Sequence, residues 1–181
     1  MGDRSKDVTT ASTATLPATA VRALDFDALY RDARDDVFAY TATLLRDSAA
    51  AEDVTAQAFE RAYKRRSRFD ARRGSPRAWL FGIARNAALD ELRSRKRTAA
   101  AGLPVPPSTP GPDELAEQTA ERDAVRRALG TLVARDRELI ALKYHADLSN
   151  AEIAEVLGVS ASNAGTLLHR AMTKLREAVD A

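Results

Sequence analysis

Between Arg61 and Arg97 the chain carries thirteen lysines and arginines against three carboxylates, a local charge of +10 in a protein of 181 residues whose net charge is only +2. The forty residues before it, 21–60, carry four basic and nine acidic side chains, a charge of −5. A dense block of cations suits a polyanion, because Lys and Arg that neutralise phosphates release condensed counterions. Within that block Asn86, Asp90, Arg93 and Arg97 recur at helical spacing and share one face. Catalytic chemistry has little to draw on. There is no cysteine, which excludes a disulfide framework, a thiol nucleophile and a cysteine-held zinc. The two histidines, His145 and His169, lie 24 residues apart in different expected helices. The acidic pairs Asp35-Asp36, Glu52-Asp53 and Asp90-Glu91 show no metal-ligand spacing, and no glycine-rich phosphate loop occurs. An enzyme is not expected, nor a metal or cofactor.

The elements that must position these charges read as helices throughout. No alternating run of β-branched and aromatic residues suggests a strand. Phe26, Leu29, Tyr30, Ala33 and Val37 recur at three- and four-residue intervals and continue through Phe38, Leu44 and Leu45. Val54, Ala58, Phe59, Ala62 and Tyr63 mark the apolar side of a second helix over about 49–67. Ser75 followed by Pro76 predicts a third start, with serine as N-cap and proline in the first turn. That helix covers about 76–97 and buries Leu80, Ile83, Ala84, Ala87 and Leu92. Five of the seven prolines fall in GLPVPPSTPGP, so 98–118 reads as a semi-extended linker, and 1–20, rich in Thr, Ala and Ser, as a disordered tail. The tail has no apolar run, so neither a signal peptide nor a membrane anchor is expected, and the protein should be cytoplasmic.

Beyond the linker, a helix near 119–133 precedes RDRELIALKYH, where Leu139, Ile140, Leu142 and Tyr144 supply apolar positions. Ser149 and Glu152 form a capping box opening NAEIAEVL, Gly158 stops that helix, and Ser160 caps a last one. Leu167, Leu168, Ala171, Leu175 and Val179 form the buried stripe of that last helix. Helix, glycine turn and helix fit a DNA-binding helix-turn-helix, and fit an ordinary bundle as well. The expected fold is all-α: two small helical bundles, 21–97 and 119–181, joined by the linker.

Three stretches taken together go further: AEDVTAQAFERAYKR, then RFDARRGSPRAWLFGIARNAALDELRSRKR, then RDRELIALKYHADLSNAEIAEVLGVSASNAGTLLHRAMTKLREAV. In this order they resemble the extracytoplasmic-function (ECF) group of bacterial RNA polymerase sigma factors, over about three quarters of the chain. The resemblance implies that the first bundle is region 2, docking on a coiled coil of the polymerase beta-prime subunit through the helix matching AEDVTAQAF. Glu52, Asp53 and Gln57 are the contacts it suggests, although Ala56 and Gln57 stand where the family often has Gln and Glu. It implies that the basic half melts the −10 element, with Asn86 lining the pocket for an unstacked base. A melted strand also needs a cationic track, which Arg72, Arg73, Arg77, Arg85, Arg93, Arg95, Lys96 and Arg97 can supply. Trp79 and Leu80 match an apolar-aromatic pair at the upstream edge of melting, though only the first is aromatic here.

The second bundle resembles region 4, which reads the −35 element and leans on the polymerase beta flap. Its recognition helix should begin near Ala161 and expose Ser162, Asn163, Thr166, Arg170 and Lys174. Asn163 and Thr166 suit base edges, Arg170 and Lys174 phosphates. Gly165 and Leu167 replace the Lys and Arg common in the family, which implies weak stand-alone DNA binding and affinity supplied by tethering to polymerase. The resemblance also implies an anti-sigma factor that sequesters the protein. The rival reading is a stand-alone helix-turn-helix regulator binding an operator as a dimer, which needs neither the basic helix nor the beta-prime motif.

Overall fold

A computed structural model describes residues 24–102 and 120–180. The expected tail 1–20, and residues 103–118 of the expected linker, lie outside the described residues. Among the described residues there is no strand, and seven α-helices occur: α1 Phe26–Leu45, α2 Ser48–Arg65, α3 Pro76–Ala100, α4 Ala120–Thr131, α5 Ala134–Tyr144, α6 Asn150–Leu157 and α7 Ala161–Val179. A short 3-10 turn, Arg66–Arg68, follows α2.

The capping chemistry read from the sequence sets these boundaries. Ser75 Oγ accepts the Ala78 N–H at 3.1 Å, with Pro76 in the first turn of α3. Ser149 and Glu152 complete their box at the start of α6, and Ser160 caps α7 through the Asn163 N–H. Each such cap contributes about 1 kcal/mol by satisfying an amide the helix leaves orphaned. Gly158, at φ 68°, closes α6 in the left-handed conformation that glycine adopts without strain. Asp47 caps α2 and at the same time accepts from Arg95 Nη2 at 2.8 Å, tying the end of α1 to α3.

The first three helices enclose Ala33, Val37, Tyr40, Val54, Ala58, Leu80, Phe81 and Ala84, all buried. Tyr40 meets Phe81 edge to face, with ring centroids 5.4 Å apart. Small alanines at the crossings let the backbones approach, while one large ring pair fills the centre. The two bundles are not separate bodies. α5 packs against α1, and α6 against α3, so that one apolar core runs through both lobes. α5 is consequently covered on two sides, by α1 and by α7, and buries Asp136 and Glu138 along with Leu139, Ile140 and Leu142.

Four aromatic or apolar positions differ from the sequence reading, Tyr30 among them at 43% exposed. Tyr63 is 51% exposed, near the end of α2, where its ring meets Phe26 at the start of α1 at 5.2 Å and the Arg66 guanidinium. Tyr144, at the end of α5, is 63% exposed, and Val179 in the last turn of α7 is exposed too. Along α7 only Ala164 and Ala171 are fully buried. Leu167, Leu168 and Leu175 are half-buried, since the helix is packed on one side only.

Candidate nucleic-acid and polymerase interfaces

α3 is the centre of the first candidate surface. Asn86, Asp90, Arg93 and Arg97 all face solvent, as their spacing requires. Asn86 lies at the edge of a cleft of about 390 Å³ whose walls include Phe69, Trp79, Arg68, Arg73 and, from α6, Glu155 and Val156. Phe69 and Trp79 lean on each other with centroids 5.5 Å apart, so the cleft offers an aromatic wall, a side-chain amide and two guanidiniums. Those are the groups that hold an unstacked base, through its ring face and its polar edge. Trp79 is half-buried and packs on the core as well as bordering the cleft. Leu80 is fully buried and has no surface from which to wedge into DNA.

The loop leading into α3 is rigidified by one carboxylate. Asp70 Oδ1 accepts from the Arg72 backbone N–H at 3.0 Å and from its Nε at 3.2 Å. That backbone N–H first, and the Arg72 guanidinium second, hold the Asp70 carboxyl below the usual carboxylate range. Arg72 and Arg73 remain exposed, Arg73 on the wall of the cleft, and Lys96 and Arg97 are exposed near the far end of α3. Arg93 is exposed beside Asp90, at 3.2 Å.

The other three expected track residues point inward. Arg95 binds Asp47 and Glu91, each at 2.8 Å. Arg77 binds Asp36 at 2.5 Å and donates to the backbone carbonyls of Ala146 at 2.5 Å and His145 at 3.2 Å. Arg85 meets Glu138 of α5 at 2.6 Å, and Glu138 also accepts from the Tyr40 hydroxyl at 3.4 Å. Burial, with the Glu138 carboxylate next to it, pushes the Tyr40 phenol well above its ordinary value, so it stays protonated and donates.

Glu152 was legible only as a cap. Its Oε1 also accepts from Ser75 Oγ at 2.5 Å, so one carboxylate fixes the starts of both α3 and α6. Burial pushes its pKa up, but the bonds from Ser75 and Ser149 outweigh that and hold it below the usual carboxylate range. Asp36 and Glu138 were missed as partners of the basic helix, and Glu155 as a wall of the cleft beside it. Glu138 carried one signal, a charge flanked by the apolar run Leu139–Leu142.

On α2, Glu52, Asp53 and Gln57 are all exposed and form an acidic outer face. Beyond them lie the half-exposed rings of Tyr30 and Tyr63, with the Arg66 guanidinium 3.8 Å over the latter. The second lobe presents Ser162, Asn163, Thr166 and Arg170 to solvent along α7. Lys174 is about half-exposed but bonded to the buried Asp136 at 2.5 Å, which ties α7 to α5. Gly165 approaches α6 closely: a Cβ there would stand 3.3 Å from Asn150 Nδ2.

A three-helix lobe with a cationic helix, followed by a helix-turn-helix lobe, is the arrangement of the sigma-70 class. The family model for sigma-70 region 2 matches residues 29–98, and that for sigma-70 region 4 matches 122–175. The ECF RNA polymerase sigma factor SigL of Mycobacterium tuberculosis is 33% identical over 162 residues, covering 88% of this chain and 91% of SigL. The sigma factor RpoE of Bartonella quintana, solved with the anti-sigma factor NepR, superposes with a TM-score of 0.72 at 23% identity, over 86% of this chain and 97% of that one. CnrH, solved with the cytosolic domain of CnrY, superposes with a TM-score of 0.61 at 25% identity, over 86% and 87%. The chain belongs to the ECF group of RNA polymerase sigma factors. The stand-alone regulator is not favoured: both modules are present in the family's order.

Proposed function

We propose that residues 21–97 and 119–181 are the two working lobes, joined by 98–118, and that they divide promoter recognition between them. The first holds core polymerase through the acidic face of Glu52, Asp53 and Gln57 on the beta-prime coiled coil. Its opposite side opens the −10 element, with Asn86 reading an extruded base and Trp79 beside it. Arg72, Arg73, Arg93 and Arg97 draw the single strand along α3, joined by Arg77 and Arg85 once their present partners release them. The second lobe reads the −35 element through Ser162, Asn163 and Thr166, with Arg170 and Lys174 near phosphates and the beta flap beneath. The observation that carries this reading is the cleft at Asn86, which combines an aromatic wall, an amide and guanidiniums at the head of a cationic helix.

The protein works as an initiation factor rather than an enzyme, and acts in the cytoplasm. No helix among the described residues is long and apolar enough to cross a membrane. An anti-sigma factor is inferred as its regulator, as the RpoE relative was solved bound to one. The test is in vitro transcription with purified core polymerase on a promoter library. Initiation that requires both this chain and defined −10 and −35 elements supports the reading. Tight binding to a palindrome without core, and no core-dependent initiation, would sink it.

A further inference from the structure

The row of side chains along α7 has a gap at Gly165. This residue shares one stripe with Ser162, three positions before it, and His169, four after, and both of those are exposed. The gap is filled from the other helix. Asn150, the first residue of α6, brings its amide so close that a Cβ on Gly165 would stand 3.3 Å from Nδ2. Ala164, fully buried beside Gly165, keeps this part of α7 narrow, and α6 packs directly against it. The neighbouring polar groups are committed elsewhere. Ser149 gives both its hydroxyl, at 2.7 Å, and its backbone N–H, at 2.9 Å, to Glu152 Oε2. Thr166 gives its hydroxyl to the Ser162 carbonyl at 3.1 Å. Asn150 is exposed, and its side-chain amide has no hydrogen-bond partner among the described residues.

We propose that Asn150 is a base-reading residue of the −35 interface, its amide from α6 standing in the row of α7 where Gly165 leaves space. This rests on the assignment of α7 to the −35 element. A carboxamide presents a donor and an acceptor in one plane, the pair that matches N7 and the N6 amino group of adenine in the major groove. The other groups assigned to that element are the short side chains Ser162, Asn163 and Thr166, and two cations suited to phosphate. Asn150 adds a bidentate contact from outside the recognition helix. The −35 element therefore contains an adenine whose recognition depends on α6. Gly165 is a positioning residue, because its missing side chain is what admits the amide.

The test uses the full chain with core polymerase on promoters randomised across the −35 element, with the transcripts sequenced. Asn150→Ala should flatten the preference at one position by about tenfold, the size of a bidentate base contact, and leave the other positions as they were. Asn150→Asp keeps the shape but has no donor, so preference there should pass from adenine to cytosine, whose N4 amino group a carboxylate accepts. With 7-deazaadenine at that position, which lacks the N7 acceptor, initiation by the parent chain should fall about fivefold and that by Asn150→Ala should not change. Gly165→Ala separates reading from folding. Alanine favours the helix over glycine and Asn150 is exposed and able to give way, so this variant should melt no lower than the parent chain. It should nonetheless lose about threefold of the adenine preference, since the added Cβ displaces the amide. The proposal falls if Asn150→Ala lowers initiation by one factor at every −35 sequence, the mark of a phosphate contact or a weakened α6. It falls equally if the parent preferences survive in that variant, and the assignment of α7 then stands. A parent chain indifferent to the −35 sequence brings down both.

Discussion

Asn86 shows what a single side chain contributes and how far it could be seen in advance. Asn86 lines the same cleft as the Phe69–Trp79 pair and the side chains of Arg68 and Arg73. An amide offers both a donor and an acceptor to a base edge, which aliphatic and cationic neighbours do not. Asn86→Ala should therefore lower initiation by about tenfold at promoters with the preferred −10 base, equivalent to ~1.4 kcal/mol for a lost polar base contact. The loss should shrink at promoters already mismatched there. Abortive-transcript assays on a set of −10 variants give the comparison, and an equal loss at every promoter would remove Asn86 from base reading. The helical spacing that puts Asn86 with Arg93 and Arg97 on the exposed face was legible in the sequence, because periodicity alone decides which face a residue takes. Whether a cation on the same helix is open to solvent was not legible. Arg85 is one residue from Asn86, yet its partner Glu138 is 53 positions away in the chain, and no local pattern encodes that pairing.

Helix boundaries were the most legible feature of the chain, because a cap is a local transaction between a side chain and an amide three residues on. Ser75, Ser149 with Glu152, and Ser160 all cap as their sequence contexts require. Where an element reaches the end of its neighbour, periodicity misleads: Tyr63 keeps the apolar register of α2 but meets only the first residue of α1, Phe26, and stays 51% exposed. Gly158 is the boundary on which the helix-turn-helix depends. Its left-handed φ of 68° turns α6 into α7, and its N–H bonds back to the Ala154 and Glu155 carbonyls. A Cβ at that position meets no neighbouring atom, so the penalty of a substitution is conformational rather than steric crowding from the rest of the fold. Gly158→Ala should destabilise the protein by about 1–2 kcal/mol, the cost of placing an L-residue in that region. Urea denaturation monitored by helical ellipticity measures it. The same variant should weaken −35 contacts, since a strained turn changes the angle at which α7 is presented. Unchanged stability would show that the turn relaxes without left-handed backbone.

The lobes of the whole molecule are held by groups whose charge depends on pH, and this was the part least visible from sequence. His145 has its ring Nε2 3.2 Å from Thr43 Oγ1 of α1, while its own carbonyl accepts from Arg77. One residue thus joins α5 to both α1 and α3, yet in the sequence it is a lone histidine at a helix end. Burial lowers the pKa of the ring below 6.5, and the Asp36 carboxylate opposes that shift without cancelling it. The sign follows from linkage: the folded state binds a proton less readily than the unfolded chain, so the neutral ring is the one compatible with the contact. Its contribution is complete above the unfolded value of about 6.5 and is lost as pH falls through the lower folded value. Glu152 has the same sign in a more acidic window, being held below 4.5 by Ser75 and Ser149 against the effect of its own burial. Between pH 7.5 and 5.5 only the histidine should act. The melting temperature of the full chain should then fall over that interval by on the order of 2 °C more than that of His145→Gln, which carries no titrating ring. Differential scanning calorimetry at matched ionic strength reads the difference, with Asp36→Asn as the second arm. Removing that carboxylate withdraws the charge that favours the protonated ring, so the remaining shift is that of burial alone and the neutral ring is held to lower pH. Parallel pH curves for the parent chain and His145→Gln would show that the ring titrates free of the lobe contact, and the junction at α1, α3 and α5 would then have no proton-sensitive member above pH 5.5.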